Sequence, residues 1–182
     1  MSEKYKFHDP DGIYFVTLTI LDWIDLFTKA DYKYMIIESL KYCQREKGLT
    51  VHVWCIMSSH IHLIISKTGE LTLSEILRDF KKYTSKKIIE LIHHINESRR
   101  EWLLEAFEKA AIKIKRNTNY KIWKDGNHPI LLDNNKMMQQ RLDNVHTNPV
   151  EAGIVDEPEH YVFSSARDYA GRKGMIEIIF IE

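Results

Sequence analysis

Residues 50–66 read TVHVWCIMSSHIHLIIS, two apolar runs broken at Met57-Ser58-Ser59. Apolar, β-branched runs bounded by turn-forming residues predict two strands joined as a hairpin or a bent pair. Residues 13–20, IYFVTLTI, carry the same β-branched and aromatic signal with partial alternation, and Asp11-Gly12 supplies turn chemistry ahead of them. Between these segments the period changes. Over residues 31–46 apolar side chains recur at helical spacing (Tyr34, Ile37, Leu40, Tyr42), with Asp31 placed to cap the start and Gly48 following the end.

After a turn at Thr68-Gly69, the residues Leu73, Ile76, Leu77, Phe80, Tyr83, Ile88 and Leu91 form an apolar stripe with lysines opposite, which predicts an amphipathic helix with Tyr83 in the core. Thr72 and Glu75 offer a capping box at its start. Further helical stretches run over residues 97–116 and 134–145, separated by irregular chain at 123–129. Pro149 should kink or end the last of them, because proline also biases Asn148 away from helical backbone. This order of elements predicts an α+β fold, helices packed on an antiparallel sheet.

The length of 182 residues, with 44% hydrophobic content, suits one domain spanning 1–182. No apolar signal core opens the chain and no stretch approaches the roughly 18 apolar residues that span a bilayer, so a soluble, cytoplasmic protein without membrane contact is expected. Cys43 and Cys55 stand apart among apolar neighbours and read as buried free thiols. The formal net charge of zero argues against a protein that simply coats nucleic acid. The distribution is uneven, however: residues 78–124 hold 13 Lys/Arg against six Asp/Glu. Such a segment can be a pair of solvated helix faces or a phosphate-binding surface.

His60-Ile61-His62 lies on a predicted strand, where period two puts both imidazoles on one face and Ile61 in the opposite layer. Two neutral imidazoles on one face can chelate a divalent metal. They can equally be two polar side chains hydrogen-bonded on a sheet surface.

The segment VWCIMSSHIHLIIS resembles the HUH strand of the REP-associated, single-tyrosine HUH transposases, the IS200-like family, in which U is a bulky apolar residue. YFVTLTI, FKKYTSKKI, WKDGNHPI, RLDNVHTNPVEAGIV and YVFSSARDY resemble further stretches of that family in the same order. The resemblance implies a ferredoxin-like antiparallel sheet, with His60 and His62 holding Mg²⁺ or Mn²⁺ and Asn148 as third ligand. It also implies strand cleavage and joining during DNA transposition, by a tyrosine one helical turn before that amide. Where the family reads LDYIHxNPV, this chain has Leu142-Asp143-Asn144-Val145-His146-Thr147-Asn148-Pro149-Val150. Asn144 therefore stands at the position of the nucleophile, and an amide cannot form a phosphotyrosine.

With this resemblance, the basic segment becomes a DNA face: Lys81, Lys82, Lys86, Lys87 and Arg116 would meet phosphates, while Tyr120 and Trp123 would stack unpaired bases of single-stranded or hairpin DNA, with Trp123 equally readable as a core residue. Two functions follow as expectations, a transposase with an altered nucleophile or a domesticated relative that binds hairpin DNA without cutting it. The chain would act as a monomer or a homodimer.

Overall fold

The computed structural model describes residues 6–113 and 119–181. Four antiparallel strands, β1 (Tyr14–Thr19), β2 (Leu49–Ile56), β3 (His60–Lys67) and β4 (Ile130–Leu131), lie in the order β2-β3-β1-β4. The helices are α1 (Ala30–Lys47), α2 (Leu73–His94), α3 (Arg100–Lys113), α4 (Asn135–Glu151) and the short α5 (Ala166–Tyr169). The expected α+β architecture is present, and Met57-Ser58-Ser59 closes the hairpin, with Met57 N–H donating to the His60 carbonyl at 2.8 Å. No helix among the described residues is long and apolar enough to cross a membrane.

Alternation along the strands divides the apolar side chains between two layers. Tyr14, Val16 and Leu18 of β1, Trp54 and Ile56 of β2, and Ile61, Leu63 and Ile65 of β3 meet the buried faces of α1 and α2. Phe15, Val53, Cys55 and Ile64 face the other way and are covered by Leu142 and Val145 of α4 and by Tyr161. A bulge at His52 shifts the register between Val51↔Ile65 and Val53↔Ile64. The extra residue reverses the parity of β2, so Val51 and Val53 pack on opposite faces of the sheet.

The β2 side of the sheet is closed by the C-terminal segment. Ser165 accepts from Trp54 N–H at 2.9 Å through its hydroxyl and donates its own N–H to the Trp54 carbonyl at 2.9 Å, and Ile56 N–H donates to the Phe163 carbonyl at 3.0 Å. His146 Nε2 also pairs with the Ser165 hydroxyl at 2.8 Å, joining α4 to this strap. The SSARDY stretch thus satisfies an edge strand that would otherwise expose its backbone.

Several local expectations change. Asp31 lies in the first turn of α1, where its charge suits the helix dipole, while Lys29 occupies the cap position. Gly48 does end α1 in the left-handed region at φ 71°, where a Cβ would lie 2.0 Å from the Thr68 carbonyl oxygen. Tyr34 and Tyr42 sit half-exposed beside the buried Ile36, Ile37 and Leu40. The capping box of Thr72 and Glu75 is formed in both directions. Tyr83, expected in the core, is 52% exposed. Thr84 takes the inward position instead, donating to the Phe80 carbonyl at 2.8 Å and accepting from Trp123 Nε1 at 3.1 Å.

Helix α4 runs through Pro149 to Glu151, so neither Pro149 nor Asn148 ends it. The proline falls in the last turn, and its missing N–H deprives only the Val145 carbonyl of a partner. Ala152, Gly153 and Ile154 N–H groups then satisfy the carbonyls of Asn148, Val150 and Pro149 at 2.9 Å each. Cys43 and Cys55 are buried free thiols, as expected; burial pushes the first up to about 11 and the second up to about 12.

Candidate functional site

β3 delivers His60 and His62 to the sheet face that α4 covers, with Ile61 buried in the opposite layer. Their Nε2 atoms are 3.0 Å apart. Each Nδ1 meets a hydroxyl: Thr17 Oγ1 at 3.0 Å from His62, and Ser59 Oγ at 3.1 Å from His60. At that separation one Nε2–H donates to the other ring when no cation lies between them; were both Nδ1 atoms protonated and held by the hydroxyls, both Nε2 lone pairs would be free for a cation. Burial holds both imidazoles below the usual histidine range. For His62 the fall is to about 3, since His60 and the positive charge of Arg141 add to the desolvation.

This donor set fits a divalent cation. Two nitrogens bonded to one ion at about 2.1 Å and at right angles lie about 3.0 Å apart, the separation seen between the two Nε2 atoms. Among the described residues, no group of three His, Cys, Asp or Glu side chains could hold a metal, so a third protein ligand would come from another residue type. Asn148 is an amide on α4, but its Nδ2 donates to the Asn144 carbonyl at 2.8 Å, so its amide group is turned along its own helix. Asn144 is exposed one turn earlier on α4.

Two neighbours of the pair were not evident in the sequence. Phe15 stacks on His62 with ring centroids 5.4 Å apart, and the Arg141 guanidinium lies 5.0 Å from the Phe15 ring centre. Arg141 precedes Asn144 by three residues and Asn148 by seven, a spacing that puts all three on one side of α4. The helical period signals that grouping, but only the packing of α4 brings Arg141 to the histidines. Thr17 had no signal beyond its place in an alternating strand.

A groove of about 1160 Å³ runs between α2 and residues 119–129, and Lys6, Arg78, Lys82, Lys86, Lys121 and Lys124 line it. It exceeds the roughly 300–1,000 Å³ of small-molecule pockets. Lys82 and Lys86 are exposed. Lys81 lines the groove too, but its Nζ donates to the carbonyls of Lys124 and Gly126 at 3.2 and 2.7 Å, and burial pushes it down to about 8. It braces the groove wall more than it offers a free charge. Tyr120 is partly buried on the groove.

Trp123 has 5% of its surface exposed, with Phe27 and Phe80 around it. The expected role in base stacking is therefore corrected to one in the core, since its ring faces are packed. Lys87 lies outside the groove lining, paired with Glu90 at 2.6 Å. Arg116 lies outside the described residues.

The segment that lines the groove is joined to β1 by backbone hydrogen bonds. Thr17 N–H donates to the Asn127 carbonyl at 3.1 Å, Lys124 N–H to the Thr19 carbonyl at 2.8 Å, and Leu21 N–H to the Ile122 carbonyl at 2.8 Å. The segment lining the groove thus lies along β1, whose Thr19 and Thr17 are register partners of His60 and His62.

The family described as IS200-like transposase matches residues 23–107, which include α1, the histidine hairpin and α2. That match covers 85 of the 182 residues. A solved structure similar to this chain is that of a REP-associated tyrosine transposase bound to a REP hairpin, with a TM-score of 0.62 and 20% sequence identity over 100% of this chain and 94% of that one. At that identity the likeness is one of fold, and it covers α4 and the C-terminal strap as well. No curated protein matches this chain. The family match ends before α4, so Asn144 and Asn148 lie outside the matched residues.

Proposed function

We propose that this protein is a hairpin-DNA-binding relative of the IS200-like transposases whose nucleophile position is occupied by Asn144. The observation that carries it is the pair of Nε2 atoms 3.0 Å apart, each ring held by a hydroxyl on its other nitrogen, on a scaffold of transposase fold. His60 and His62 would hold Mg²⁺ or Mn²⁺, with Asn148 as the third ligand after its amide releases the Asn144 carbonyl. When bound, the ion would polarise a phosphate oxygen as a Lewis acid. Lys82 and Lys86 would engage backbone phosphates along the groove, with Arg141 as a further cation beside the pair. The whole chain would act as one domain in the cytoplasm, as a monomer or a homodimer.

The choice between a cutting and a non-cutting protein turns on Asn144. Covalent strand transfer needs a side chain that can attack phosphorus and later leave, and an uncharged amide does neither efficiently. We therefore favour hairpin recognition without a covalent protein–DNA intermediate.

The test is titration of Mn²⁺ and of a labelled DNA hairpin into the protein and into a His60→Ala/His62→Ala variant. Metal binding should vanish in the variant, while hairpin affinity should fall steeply with salt in both. Equal metal binding by the two proteins would remove the metal site. Failure of the unmodified protein to bind hairpin DNA at low salt would overturn the function.

A further inference from the structure

Trp23 lies between His60 and a lysine of the basic groove. The residue is 55% exposed, the His60 and Trp23 rings meet edge to face at 5.3 Å between centroids, and Lys124 Nζ lies 5.9 Å from the indole centroid. Lys124 also lines the groove. One aromatic side chain therefore touches both parts of the site.

The backbone beneath it is strained. Asp22 and Trp23 occupy consecutive positions at φ 51° and 57°, in the left-handed region that bulky residues seldom adopt. Each such residue costs on the order of 1–3 kcal/mol and persists only where surrounding structure over-determines it. Here the clamps are visible: Ile20 N–H donates to the Ser59 carbonyl at 2.9 Å, Leu21 N–H to the Ile122 carbonyl at 2.8 Å, and Trp23 N–H to the Ile20 carbonyl at 3.1 Å. Burial does little to offset the strain, because more than half of the residue's surface faces solvent. Tyr34, Tyr42, Tyr83 and Trp102 are also exposed, but on ordinary helical backbone and without a histidine of the pair against them.

We infer that Trp23 is the platform on which an unpaired nucleobase stacks, next to the phosphate held at His60 and His62. This rests on the nucleic-acid function proposed above. An indole offers a large apolar face without base preference, and the neighbouring Lys124 supplies a cation for the adjoining phosphate. The strained turn would keep the ring out of the core and beside His60, so the platform would be built before DNA arrives.

The test uses the full chain with Mn²⁺ and two probes, a blunt DNA hairpin and the same hairpin carrying a single-stranded thymidine tail. In a Trp102→Phe background Trp23 is the one strongly exposed tryptophan, since Trp54 and Trp123 are buried. The tailed probe should quench indole fluorescence more than the blunt one. Trp23→Gly should weaken binding of the tailed probe by about ten-fold or more, leave the blunt hairpin nearly unchanged, and raise Tm, because glycine adopts this φ without strain. Trp23→Phe should keep most of the affinity for the tail. A Tm that falls in Trp23→Gly with tail binding intact would show a structural tryptophan and overturn the inference while leaving hairpin binding standing. Absence of binding to both probes by the unmodified chain would overturn the inference together with the function on which it rests.

Discussion

Thr17 Oγ1 lies 3.0 Å from His62 Nδ1, the two residues being register partners across β1 and β3 although 45 positions apart in the chain. On the proposed metal site, the hydroxyl would accept from Nδ1–H and leave the Nε2 lone pair for the ion. Thr17→Val preserves shape and β-propensity while removing the hydroxyl. Mn²⁺ affinity measured by calorimetry should fall about 10- to 100-fold, as for other partners that orient a ligand histidine. Unchanged affinity would mean that the ring is held by packing against Phe15 alone.

On the proposed function, position 144 would decide covalent chemistry. Asn144 is exposed on α4, so a tyrosine fits there without disturbing the core. With a labelled hairpin and Mn²⁺, the unmodified protein should give no denaturation-resistant adduct, and Asn144→Tyr should gain one. An adduct formed by the unmodified chain would assign the attack to another residue. The first to replace would be Tyr83, exposed on α2, by phenylalanine.

Thr72 caps α2 by accepting from Glu75 N–H at 3.2 Å, and the Glu75 carboxylate accepts from Thr72 N–H at 2.9 Å. Thr72→Ala removes the first bond, and with it the hydroxyl's own bond to the Glu75 carboxylate, while the backbone N–H can still donate. Chemical denaturation should show a loss of about 1 kcal/mol with an unchanged m-value. A loss below measurement error would show that packing of Ile76, Leu77 and Phe80 holds the first turns without the box.

His52 is buried in the β2 bulge, with Nδ1 2.8 Å from the Ile179 carbonyl and Nε2 2.9 Å from the Ser66 hydroxyl. Burial holds its folded-state value below the ordinary one, outweighing the backbone hydrogen bond. As pH falls below about 6.5 the unfolded chain takes up the proton first. Stability is therefore full above that pH and declines as acid is added toward the folded value. His52→Gln should flatten this acid limb by at most about 1.4 kcal/mol per pH unit, read from denaturant midpoints between neutral and mildly acidic pH. An acid limb of the same slope in the variant would assign it to other groups, the buried His146 among them.

Features set by residues a few positions apart could be read directly from the sequence. The break at Met57-Ser58-Ser59, the Thr72–Glu75 box, Gly48 at the end of α1, and the shared face of His60 and His62 each follow from local backbone geometry, and each is present. What depends on two elements meeting was decided by the tertiary structure. The apolar stripe of α2 holds Tyr83 and Thr84 side by side, and only the arrival of Trp123 turns the threonine inward. The same packing buries Trp123, ties Lys81 to the carbonyls of Lys124 and Gly126, and brings Thr17, Arg141 and Trp23 to the histidines. Residue type and spacing constrain the strands and helices along the chain, but side-chain environment depends on which faces dock. That is a property of the whole hydrophobic core and is absent from any local window of sequence.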